Sequence, residues 1–198
     1  MKSQLKPGPR RFELQLLYGH YYYIDRVAEL EKVLARRPRE LQIDMVGTGE
    51  VPADFALLIR SVLLARAPRT RLITNARNSL RGGSALVWLL GDRRLIRDDA
   101  KLYFRPVNST RPDEAVADES WKDHEPKYRD SNSELDPEEG DYARVLQLID
   151  EFLPVKELAG RLIGVPVLRQ FGLVENEKVD RFLSAALGKS EMPVVVRR

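Results

Sequence analysis

Apolar positions recur along this chain with two different periods. Between Arg11 and Tyr18 they fall at Phe12, Leu14 and Leu16, every second residue, which predicts a strand with one buried face. From Asp25 to Arg36 they fall at Val27, Leu30, Val33 and Leu34. That is a helical stripe, with Asp25 placed to cap it and Pro38 to end it. Leu41, Ile43 and Met45 alternate again. A Gly47-Thr48-Gly49 loop follows, and Pro52 opens a second helix that turns Phe55, Leu58, Ile59, Val62 and Leu63 inward. Leu72 to Thr74 predicts a short buried strand, Asn75 to Gly83 a polar turn, and Ser84 to Leu90 a short apolar helix. Leu95-Ile96 and Leu102 to Phe104 are the next strands. After a long irregular stretch, Tyr142, Val145, Leu146, Ile149, Phe152 and Leu153 share one helical face, with Asp141 as the expected cap and Pro154 as the stop. Leu158 to Ile163 reads as helical and Leu168 to Leu173 is indistinct. A last helix is expected from Lys178 to Leu187, with Gly188 closing it and a terminal edge strand at Val194 to Val196. Strand–helix alternation of this kind predicts an α/β domain with a largely parallel sheet.

Composition narrows the chemistry. The chain has 198 residues, 43% hydrophobic and 32% charged, which suits one globular domain over residues 1–198. No apolar run approaches the ~18 residues that a membrane span needs, and MKSQLKPGPRR lacks the apolar core of a signal peptide, so a cytoplasmic protein is expected. With no cysteine there are no disulfides, thiol nucleophiles or thiolate metal sites. Two histidines, His20 and His124, make a multi-histidine metal site unexpected, and neither metal nor cofactor is anticipated.

The net charge of +3 is unevenly placed. Residues 111–141 hold twelve acids and four bases, a net −8 that leaves +11 on the remainder. The stretch 107–141 has neither period and is expected to be a long acidic loop. Its acids lack calcium-loop spacing. A basic body can attract nucleic acid, but the arginines are scattered from Arg10 to Arg198, and no RNA-recognition signature, zinc finger or basic zipper is present. Nucleic-acid binding is therefore not expected. Tyr21, Tyr22 and Tyr23 read as packing residues, and His20 as a loop histidine.

Four segments together resemble a known superfamily. They are the opening strand with the helix at Tyr22 to Leu34, LQIDMVGTGEVPADFALLIRSVL (41–63), RLITNARNSLRGGSALVWLLGDRRLIRDDAKLYFRP (71–106), and FGLVEN (171–176). In order and spacing they are similar to the Clp protease proteolytic subunit (ClpP) and its crotonase and signal-peptide-peptidase relatives, over about four-fifths of the chain. The resemblance implies a ClpP/crotonase-like spiral of ββα units. It also implies assembly as a homo-oligomeric ring or trimer, or as a hetero-oligomer with a ClpP-like paralogue, with an unfoldase as a possible partner. The acidic loop 107–141 then stands in the family's ring-to-ring handle, where like-charge repulsion disfavours stacking of two rings.

The resemblance carries the catalytic residues poorly. In active relatives a Ser opens the third helix, a His lies on the next strand, an Asp precedes the last helix, and backbone N–H groups hold the oxyanion. Here the histidine position falls on Arg105, or on Phe104 in the alternative register. The serine position falls on Gly82, or on Ser79 in a looser alignment, with Ser84 a third candidate. The Asp position falls on Glu175, and the oxyanion loop on Gly47 and Gly49. An arginine side chain keeps its proton in proteins and is no general base. The expected function is an oligomeric scaffold or partner subunit that has lost serine-peptidase activity. Two alternatives stay open: a serine hydrolase using Ser79 or Ser84 with an unusual base such as His124 or a lysine, and an acyl-coenzyme A binding module built on the Gly82-Gly83-Ser84 turn.

Overall fold

The alternation of Phe12, Leu14 and Leu16 becomes strand β1 (Arg10–Leu16), with those three side chains buried and their neighbours exposed. The computed structural model describes residues 9–17, 20–106 and 138–174. Helix α1 (His20–Ala35) buries Tyr23, Val27, Leu30 and Leu34 at helical spacing. It begins before Asp25, so Asp25 sits inside the helix rather than at its cap. Tyr23 explains the earlier start. Its ring is fully buried, and its hydroxyl accepts the Leu17 N–H (3.1 Å) and donates to the Leu17 carbonyl (3.0 Å), anchoring the first turn of α1 to the end of β1.

Strand β2 (Glu40–Gly47), helix α2 (Ala53–Leu64) and strand β3 (Arg71–Ala76) follow in the predicted order, but Leu58, expected to turn inward on α2, is exposed. The expected polar turn 75–83 contains a two-residue strand, β4 (Leu80–Arg81), too short to show a period. Helix α3 (Gly82–Leu89) buries every one of its residues, including Trp88, whose indole N–H donates to the Leu95 carbonyl at 3.0 Å. Burial of a large apolar side chain contributes about 1.5–3 kcal/mol, so α3 is the centre of the core, packed by α2, β3 and the later helix α4. The Thr74 hydroxyl donates to the Trp88 carbonyl at 2.7 Å and fixes α3 to β3. Strands β5 (Arg93–Ile96) and β6 (Lys101–Tyr103) precede α4 (Glu138–Asp150), which buries Tyr142, Val145, Leu146 and Ile149. Asp141 lies within α4 and does not cap it. The expected helix Leu158 to Ile163 is instead the end of a short helix, α5 (Val155–Leu158), a turn, and strand β7 (Ile163–Gly164). Gly160 (φ +78°) is not helical, and its N–H donates to the Phe104 carbonyl at 2.9 Å. Helix α6 (Val165–Gln170) is the last helix of the described residues. The acidic loop is expected to run to residue 141, but its last four residues form the first turn of α4; its remainder, the helix expected at Lys178 to Leu187 and the strand at Val194 to Val196 lie outside the described residues.

The main sheet is wholly parallel in the order β1-β2-β3-β5. A smaller sheet, β4-β6-β7, pairs β4 with β6 in parallel and β6 with β7 antiparallel. The fold is α/β, as the alternation predicted.

Candidate active site

Four chain segments converge where β2 and β4 end. Parallel pairing sets Leu80 against Leu102 and Arg81 against Tyr103, so Gly82 and the pair Phe104-Arg105 leave the small sheet at the same end. The loop after β2 brings Glu50 to Gly82, and α4 supplies Tyr142. Gly82 opens α3 with φ +35°, a left-handed conformation that a side chain strains. A Cβ built there would lie 1.8 Å from Glu50 Oε1 and 3.0 Å from Tyr142 Cε2. The Glu50 carboxylate thus occupies the space that a residue-82 side chain would need. The Gly83 N–H donates to the same Oε1 at 3.4 Å, and the positive end of α3 favours a carboxylate there. Gly83 is also required for space, since its Cβ would stand 2.3 Å from the Val51 carbonyl oxygen.

Tyr142 closes the other side. Its hydroxyl donates to the Arg105 carbonyl at 3.1 Å, and the Arg105 guanidinium lies 4.2 Å over its ring. Burial pushes the Tyr142 hydroxyl well above the usual phenol range; the negative charge of Glu50 adds to that, and Arg105 opposes it. Phe104 is fully buried in the core, so of the two histidine-equivalent candidates only Arg105 faces this site.

The two serines hold backbone. Ser84, fully buried, accepts the Val51 N–H at 2.8 Å and ties α3 to the loop before α2. Ser79 accepts the Lys101 N–H at 3.0 Å and joins the start of β4 to that of β6. The glycine loop is engaged as well. The Gly47 N–H (residue φ +112°) donates to Asn78 Oδ1 at 3.2 Å, and the Gly49 N–H donates to the Leu16 carbonyl at 3.0 Å. Both glycines let the loop lie against β1, because a Cβ would meet Leu16 O at 2.8 Å and 2.6 Å respectively. Glu175 and His124 lie outside the described residues, as does the side chain of His20. Among the described residues no group of His, Asp and Glu is arranged to hold a metal, and no helix is long and apolar enough to cross a membrane. A groove of about 830 Å³ lies elsewhere, between the C-terminal ends of α1 and α2.

Sequence reasoning found Gly82, Arg105 and the glycine loop but passed over Glu50, Asn78 and Tyr142. Glu50 follows directly on Gly47-Thr48-Gly49, and a carboxylate directly after a glycine loop was the signal that could have found it. Nothing local marks Tyr142, which reads as one more core position of α4.

The chain therefore has a ClpP-like α/β fold, and the comparisons with known proteins agree on that level alone. The catalytic domain of the ClpP protease from Plasmodium falciparum superposes with a TM-score of 0.59 over 85% of this chain and 86% of that chain, at 8% identity. No protein-family model and no curated protein matches the sequence.

Proposed function

We propose that this chain is a catalytically silent ClpP-like subunit, acting as an oligomeric scaffold or as the partner of an active paralogue. The observation that carries this reading is the Glu50 carboxylate seated where a residue-82 side chain would project. Three further features support it. Arg105, at the position that the resemblance gives to histidine, is a guanidinium stacked on Tyr142. The Ser79 and Ser84 hydroxyls accept backbone N–H groups of neighbouring segments. The Gly47 and Gly49 N–H groups have internal acceptors, so forming an oxyanion hole would require both to let go. The carboxylate beside Gly82-Gly83 likewise repels the developing oxyanion of a thioester, which argues against the acyl-coenzyme A reading.

Labelling with a fluorophosphonate, read by intact mass beside an active ClpP, tests the silence. The expected result is no adduct, and a stoichiometric adduct on Ser79 or Ser84 overturns it. Native mass spectrometry tests the scaffold. A ring, a trimer or a mixed complex with a paralogue is expected, and monomer alone at micromolar concentration overturns that half.

A further inference from the structure

The arginines that are scattered in sequence are gathered in space. A parallel sheet puts the starts of its strands at one end together with the ends of the helices between them. Each strand of the main sheet begins at arginine: Arg10 in β1, Arg39 one residue before β2, Arg71 in β3 and Arg93 in β5. The register holds them level, with Arg10 opposite Leu41, Arg71 opposite Glu40 and Arg93 opposite Ile73. The turns leaving the helices add Arg36 and Arg37 after α1 and Arg69 after α2. All seven are exposed. Two contacts fix the turns that carry them. The Thr70 hydroxyl donates to the Pro38 carbonyl at 2.6 Å, and the Arg71 N–H donates to the Arg39 carbonyl at 2.8 Å. Glu40 reaches Arg71 at 4.0 Å, and Asp92 is paired with a further arginine, Arg66, at 2.8 Å. Seven exposed arginines stand at this end beside three acids, Glu31, Glu40 and Asp92, so the end is basic in balance. The helix dipole accounts for cations after α1 and α2 but not for those that open β1, β3 and β5.

We infer that this end of the sheet, opposite the Gly82 site, binds the phosphate backbone of duplex nucleic acid without reading its sequence. Four strands about 4.8 Å apart make a basic row roughly 14 Å long. At about 3.4 Å per phosphate along one strand, that row spans about four phosphates. Guanidinium groups match phosphate oxygens two at a time. Among the described residues the large exposed apolar side chains are Leu17, Ile24, Leu58, Leu64 and Phe171; Leu64, on the last turn of α2, stands near these arginines but carries no ring for stacking unpaired bases. The competing occupant is an acidic peptide with an apolar anchor in the adjoining groove, which Leu34, Val62, Ala65 and Pro68 line. Arg10 and Arg93 lie on the two outer strands, whereas that groove is confined to the space between two helices, so the row extends past the reach of such an anchor.

The test is fluorescence anisotropy of a labelled DNA duplex of about 20 base pairs, titrated with the full chain from about 50 to 200 mM salt. Micromolar binding at the low end is expected, with log K falling against log salt at a slope of about −3.6 for four phosphates. The double variant Arg36→Gln/Arg39→Gln flattens that slope by about 1.8, while Arg144→Gln, on α4 away from the row, leaves it unchanged. Both variants change exposed side chains, and their circular dichroism confirms folding. No binding at the low salt overturns the proposal. So does an equal loss with Arg144→Gln, which means diffuse charge. Polyglutamate binding as tightly as the duplex, with the same loss in the double variant, reassigns the end to an acidic polypeptide.

Discussion

Adding one carbon at Gly82 tests the geometry of the site most directly. In Gly82→Ala the new methyl meets Glu50 Oε1 at 1.8 Å, so the carboxylate must swing away. Its departure removes the acceptor of the Gly83 N–H and the anion at the start of α3, a loss of about 0.3–1 kcal/mol from the dipole alone and more where the site is partly buried. The backbone at φ +35° adds about 1–2 kcal/mol of left-handed strain for alanine. The expected cost is thus roughly 2–3 kcal/mol. Glu50→Ala by itself should cost about 1 kcal/mol, from the unpaired N–H. The double variant is the informative one. With Glu50 gone the methyl has room, apart from Tyr142 Cε2 at 3.0 Å, and only the backbone strain remains. The two costs should therefore be less than additive by about 1 kcal/mol, within the range for touching residues. Urea unfolding of the wild type, both single variants and the double variant measures that coupling. Additivity within about 0.3 kcal/mol would refute the claim that Glu50 fills the residue-82 space.

Two other substitutions separate structural from chemical roles. Ser84→Ala leaves the buried Val51 N–H without its acceptor and should lower stability by about 1–3 kcal/mol, read by urea unfolding; an unchanged midpoint would contradict the assigned role. Tyr142 carries a pH dependence. Its hydroxyl titrates higher in the folded chain than in the unfolded one, so above about pH 10 the unfolded state loses its proton first and stability falls as pH rises. Tyr142→Phe should remove that part of the fall and lose about 1 kcal/mol at neutral pH, with the bond to the Arg105 carbonyl; an unaltered alkaline slope rejects the assignment.

The hydrophobic pattern specified the fold because its long elements bury one clear face. Phe12, Leu14 and Leu16 and the α4 stripe occupy the positions that their periods require, while on α2 Phe55, Ile59 and Leu63 are buried and Leu58 is exposed. It failed where tertiary contacts decide. The first turn of α1 is held by the Tyr23 hydroxyl, β4 and β7 are two residues each, and the start of α4 owes nothing to Asp141. The site was legible only in part for the same reason. Glycines at 47, 49, 82 and 83 announce close approaches, but not what approaches, and the answers are Leu16, Glu50 and Val51 from elsewhere in the chain. The arginines show the same limit on a larger scale, since only the strand register turns scattered residues into one row.

Glu50 and Gly82 are best understood as a single arrangement. Glycine at 82 is what admits the carboxylate, and the carboxylate gives the first turn of α3 an internal anion where an enzyme would keep the place for a reacting group. Arg105 is likewise tied to Tyr142, through its carbonyl and across the ring face. Gly82 and Arg105, the positions that the resemblance sets against the catalytic serine and histidine, thus each have a partner within the fold. Active sites commonly retain strained or unsatisfied groups because chemistry needs them. Here the strained turn at Gly82 is filled and the neighbouring N–H groups have acceptors, the arrangement on which the proposal of a silent subunit rests.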